Sequence, residues 1–97
     1  MNAGHKITGD KAQALIKKGA VRVDTRDPVS FRDGTLPGAI NLSLRQIPSL
    51  SKYPTKTTII MFGKSGSDDT LKAAITYATL AGFNNVFSLG GMEDWNK

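Results

Sequence analysis

Thr57-Thr58-Ile59-Ile60-Met61-Phe62 runs into Gly63-Lys64-Ser65-Gly66-Ser67-Asp68-Asp69, and an apolar-periodic run to Ala81 follows. The β-branched and apolar opening predicts a buried strand over Thr57 to Phe62. Two Gly, two Ser and two Asp within the next seven residues predict a loop. Leu71, Ala74, Ile75, Ala78 and Leu80 or Ala81 recur near the helical period and predict a helix. A strand that passes through a small-residue loop into a helix aims backbone N–H groups at one point, which makes a cradle for an anion. The same loop lacks a strong nucleophile. The chain has no Cys, its single His is His5, and the hydroxyls of Ser65 and Ser67 have no base nearby in sequence.

On the amino-terminal side, Thr8 is the expected N-cap of a helix with Asp10 in its first turn, Ala12, Leu15 and Ile16 as its apolar stripe, and Gly19 at its C-cap. Ala20 to Asp24 predicts a short strand. Asp27 and Pro28 open a helical turn over Val29 to Arg32, anchored by a buried Phe31. Ala39 to Leu42 predicts a second strand, and Ser43 caps a short helix over Leu44 to Ile47 that Pro48 ends. Beyond the long helix, Gly82 terminates and Val86 to Leu89 forms the last strand. Gly90-Gly91 turns the chain into a final helical turn, Met92 to Trp95, that closes the core. Short strands alternating with helices, without a hairpin signal, predict a parallel sheet with both faces covered. Ligands of such sheets lie beyond the carboxyl ends of the strands, where Gly63 to Ser67 falls.

Val23-Asp24-Thr25-Arg26, Phe31 and Gly34-Thr35-Leu36-Pro37-Gly38-Ala39-Ile40-Asn41, with Gly82-Phe83-Asn84-Asn85-Val86 and Leu89-Gly90-Gly91-Met92-Glu93-Asp94-Trp95, together resemble the signatures of rhodanese-like domains over nearly the whole chain. The resemblance implies a three-layer α/β sandwich: a central, mostly parallel sheet of about five short strands with helices on both faces. In that family a Cys heads the loop pattern Cys-x-x-Gly-x-Arg and carries the sulfur. Aligned on Gly66, the Cys position holds Gly63 and the Arg position holds Asp68. Thr35 stands in place of a usual His, and Ser30 where an acidic residue is common. Sulfur transfer needs a thiolate to accept the sulfane sulfur as a persulfide. Gly63 has no side chain, and Asp68 reverses the charge that would hold an anionic donor.

The expectation is therefore a single domain over residues 1–97 that is catalytically inactive and binds or regulates, with no catalytic residue, metal or cofactor. Its vestigial anion loop is Gly63, Lys64, Ser65, Gly66, Ser67 and Asp68, supported by Asp24 and Arg26. The alternative is a thiosulfate sulfurtransferase-like protein that retains some anion or sulfur-compound binding or activity. Asp68 and Asp69 carry two readings: helix capping, or a carboxylate folded back over the amide cradle. Asp24 with Arg26 reads as an ion pair that pins a loop. The formal charge of +5 is spread along the chain, without interleaved aromatics, so no specific nucleic acid is expected. No run of about 18 apolar residues spans a membrane, and Met1 to Lys6 has no apolar signal segment. A cytoplasmic monomer whose partner is a protein or a small anion is the resulting expectation.

Overall fold

The computed structural model describes residues 4–96. Five strands form one sheet in the order β1-β5-β4-β2-β3, and every pairing is parallel. They are β1 (His5–Lys6), β2 (Val21–Asp24), β3 (Ile40–Asn41), β4 (Ile59–Gly63) and β5 (Val86–Gly91). Between them run α1 (Gly9–Lys17), α2 (Pro28–Asp33), a 3-10 segment Leu44–Lys52 and α3 (Asp69–Leu80), and a second 3-10 segment, Met92–Asn96, closes the chain. No helix among the described residues is long and apolar enough to cross a membrane.

The middle strand explains the three layers. All five residues of β4 are buried, and successive side chains point to opposite faces. Ile59 and Met61 enter a core built with Ile47 and Leu50 of the first 3-10 segment and with Leu71, Ala74, Ile75 and Ala78 of α3. Ile60 and Phe62 enter the opposite core with Ala12 of α1, Leu36 and Leu89. A strand apolar at every position cannot sit at a half-solvated edge, so β4 must be central.

Local signals hold the helix ends. The Thr8 hydroxyl accepts from the Lys11 N–H at 3.1 Å at the start of α1. At the end of α3, Gly82 (φ +103) donates to the Thr79 carbonyl and Phe83 to that of Ala78. This paired closure turns the chain back and buries Phe83. At α2, the Asp27 carboxylate accepts from the Ser30 amide and from its hydroxyl, each at 2.9 Å. Those bonds, the amide first, hold the Asp27 carboxyl below its ordinary value. A depressed pKa means that the cap acts above the ordinary aspartate value and is lost as pH falls through the folded one. The Ser30 amide resonance is expected to titrate with a midpoint under the ordinary aspartate value. Asp27→Asn should abolish that titration, and an unchanged titration in this variant would rule out the cap as its source.

Several expectations are corrected. The strand starts at Ile59, because Thr57 donates to the Pro54 carbonyl in a turn, and it runs on to include Gly63. The C-cap of α1 is Lys18, with Gly19 (φ +102) following it. Pro48 does not end its helical segment. Its φ suits a 3-10 turn, and the three-residue spacing of Ile47 and Leu50 lets both bury on one side, so packing carries the segment on to Lys52. There Gln46 Oε1 accepts the Ser43 N–H at 2.9 Å, so Gln46 caps the backbone of Ser43. Gly90 and Gly91 are strand, not turn: Met61 pairs with Ser88 and Phe62 with Gly90, leaving Leu89 as a bulge. Phe31 is only half-buried, and α2 has no buried residue. Trp95, as expected, packs against the core, on its α1 side, and is half-buried. His5 is exposed as expected, but with Lys6 it forms an edge strand that polar residues do not announce.

Candidate functional site

Parallel strands end together, so β2 and β4 deliver Asp24 and Gly63 to the same edge of the sheet. Asp24 pairs with Phe62 and Gly63 with Gly91. A cleft of about 330 Å³ opens there, lined by Thr25, Arg26, Asp27, Lys64, Asp68 and Thr70 among others. The sequence places Arg26, Lys64 and Asp68 at this spot. Residue type alone singles out none of Thr25, Asp27 and Thr70 as a site residue. Thr25 directly follows the end of a strand, which is the signal that could have found it.

The loop is organised by its own acid. Asp68 is the N-cap of α3, and its Oδ1 accepts the Thr70 N–H at 2.9 Å. Its Oδ2 accepts the Lys64 N–H, also at 2.9 Å. One carboxylate therefore ties both ends of the turn, so the capping and fold-back readings describe a single side chain. Asp69 lies exposed in the first turn of α3, where the helix dipole favours its charge. Ser65 and Ser67 share a hydrogen bond at 3.1 Å, and the Ser67 amide reaches Ser65 Oγ at 3.3 Å. Neither bond joins a serine hydroxyl to a basic group.

Gly63 is buried, and a side chain there would force its neighbours to move. A Cβ there would lie 2.5 Å from Asp68 Oδ2, 3.1 Å from Leu71 Cβ and 3.2 Å from Thr25 Oγ1. The Thr25 hydroxyl donates to the Phe62 carbonyl at 3.1 Å, so it cannot swing away without losing a buried bond.

Beside the loop, Asp24 is fully buried and saturated. Arg26 donates to it from Nη2 at 2.8 Å, from Nε at 3.0 and 3.2 Å, and from its backbone N–H at 2.9 Å. The Thr35 hydroxyl donates to Oδ2 at 2.8 Å. Arg26 Nη2 also reaches the Gly34 carbonyl at 2.6 Å, and Asn41 Nδ2 bonds the carbonyls of Asp24 and Arg26. The hydrogen bonds that Arg26 donates to Asp24 raise its pKa. The pair thus ties the segment after β2 to β3 and to residues 34–35. The Arg26 guanidinium is committed to this pin, which leaves Lys64 as the exposed cation of the cleft without an ion pair among the described residues.

Residues 8–97 match the family model described as the rhodanese-like domain. The chain is 31% identical over 93 residues to the thiosulfate sulfurtransferase GlpE of Pseudomonas syringae pv. syringae, covering 93% of this chain and 85% of that protein. It is 33% identical over 92 residues to the protein of the same name from Stutzerimonas stutzeri, covering 93% and 83%. The crystal structure of the Saccharomyces cerevisiae single-domain sulfurtransferase RDL2 superposes with a TM-score of 0.75, covering 99% of this chain and 91% of that one, and at 21% identity it shows likeness of fold alone. Sheet order, loop position and sequence match agree, and the chain belongs to the rhodanese-like domain family.

Proposed function

We infer that this rhodanese-like domain does not transfer sulfur and works as a binding or regulatory module. One observation carries the reading: the position that would hold the sulfur-bearing thiol is Gly63, and its side-chain space is taken by the Asp68 carboxylate. With no Cys in the sequence, no thiolate can form a persulfide. A carboxylate about 5 Å from a bound anion, at an effective dielectric near 20, repels it by roughly 3 kcal/mol before screening. Asp68 acts as the resident anion of the loop. The wider cleft, with Lys64, Thr25 and Thr70, remains open to a ligand.

A thiosulfate and cyanide assay is expected to give thiocyanate no faster than a protein-free blank, and turnover above the blank refutes the reading. The loop is tested separately by NMR. Thiosulfate, phosphate or sulfite should leave the Lys64 and Thr70 amide resonances in place in the natural chain and shift them in Asp68→Ala, where both amides are released. Shifts of equal size in both proteins would mean that Asp68 does not fill the cradle.

A further inference from the structure

The opposite pole of the sheet carries a second cleft, of about 450 Å³, larger than the one at the loop. It lies where β2 and β4 begin. Val21 pairs with Ile59, so the connection from α1 into β2 and the connection into β4 run side by side. Leu15, Ala20 and Pro54 give it apolar walls, and Lys18, Lys56 and Thr57 line it with polar ones.

The two poles differ in their acids: the carboxyl end mixes acids with bases such as Arg26 and Lys64, whereas the amino end has bases alone. The amino-end connections, residues 17–20 and 52–58, carry Lys17, Lys18, Lys52 and Lys56 and no acidic residue. The acids gather at or near the other pole. Asp24 ends β2, and Asp27 caps α2 beside it. Asp33 precedes Gly34, whose carbonyl meets Arg26. Asp68 and Asp69 start α3, and Glu93 and Asp94 follow β5. Asp10 lies in the first turn of α1, whose first residue, Gly9, abuts the Trp95 carbonyl on that side. A helix C-terminus attracts lysines, which accounts for Lys17 and Lys18. It does not account for Lys56, which belongs to no helix. Lys52 lies 5.4 Å from the centre of the Tyr53 ring, so that aromatic face is already covered by a cation.

We propose that this amino-end cleft docks an acidic peptide segment of a partner protein, with an apolar side chain against Leu15 and Pro54 and carboxylates at Lys18 and Lys56. Charge complementarity selects the occupant: a cationic rim over an apolar floor fits a segment that mixes acidic residues with a single apolar anchor. Nucleic acid is disfavoured because the cleft offers point-charge lysines, no arginine fork and no free aromatic for stacking. This docking surface is separate from the loop, so it stands whether or not sulfur transfer is absent.

The test uses the full isotope-labelled chain and a synthetic peptide, acetyl-Glu-Asp-Leu-Glu-Asp-amide. The expected result is amide shifts confined to residues 18–20 and 55–58, weakening with added salt. The Lys18→Glu/Lys56→Glu double variant should bind about tenfold or more weakly, and Lys18→Gln/Lys56→Gln, which spares the helix end a carboxylate, should also weaken binding. A peptide with Ala for Leu should bind less well, and one with Lys for each acid should not bind. Shifts absent at millimolar peptide, or unchanged in both double variants, overturn the proposal. So does a single-stranded oligonucleotide that produces the same shifts at lower concentration than the peptide.

Discussion

Gly63→Cys combined with Asp68→Arg is expected to turn over thiosulfate and cyanide at least about 100-fold faster than Gly63→Cys alone. Two effects act together in the single variant. The new Cβ would stand 2.5 Å from Asp68 Oδ2, so the carboxylate must leave the Lys64 amide. Once displaced, it still opposes an anionic donor by roughly 3 kcal/mol per unit of donor charge, which is about two decades in rate or more. The chemistry requires the thiolate to attack the sulfane sulfur, forming an S–S bond and releasing sulfite. Cyanide then takes the terminal sulfur and restores the thiolate. Arg at position 68 removes the obstruction and adds a cation, at the cost of an N-cap worth about 1 kcal/mol. Gly63→Cys with Asp68→Ala should fall between the two, because it clears the space without adding charge. Thiol titration confirms that each variant presents its cysteine. If the single variant matches the double one in rate, the electrostatic account is wrong.

The largest loss of stability is expected from Asp24→Ala. Asp24 is fully buried, and the Arg26 side chain that it holds is only 14% exposed. Deleting the acid strands a cation in a near-buried place, together with the Arg26 amide and the Thr35 hydroxyl. Breaking such a pair from one side costs about 3 kcal/mol. For a domain of this length that lowers the melting temperature by on the order of 15 °C. Thr35→Val removes one bond and should cost about 1 kcal/mol. Urea unfolding measures both. An Asp24→Ala protein that melts within about 2 °C of the natural chain would show that the pair contributes little.

The fold was readable where side chains carry the signal. The unbroken Ile59-Ile60-Met61-Phe62 run announces a strand buried on both faces, and the spacing of Leu71, Ala74, Ile75 and Ala78 announces the helix over it. It was unreadable where backbone alone decides. His5–Lys6 pairs with Phe87 and Ser88 through main-chain bonds, and its exposed polar side chains look like any chain end. Gly90-Gly91 has no side chains to show a period, so an extended bulged strand resembles a turn. At the site, composition and spacing pointed to the loop and to the Asp24 and Arg26 pair. Hydrogen-bond partners at distant sequence positions did not show. Nothing near Thr35 signals that its hydroxyl completes the shell of Asp24, 11 positions back.

The seat of the Asp68 carboxylate over Gly63 also couples the two positions. Gly63→Cys made alone meets a carboxylate already seated in the space. Exchanging the carboxylate first yields a basic residue with no sulfur to serve. Neither substitution gains anything until the other is made, so the pair behaves as a ratchet against acquiring a working thiol one substitution at a time.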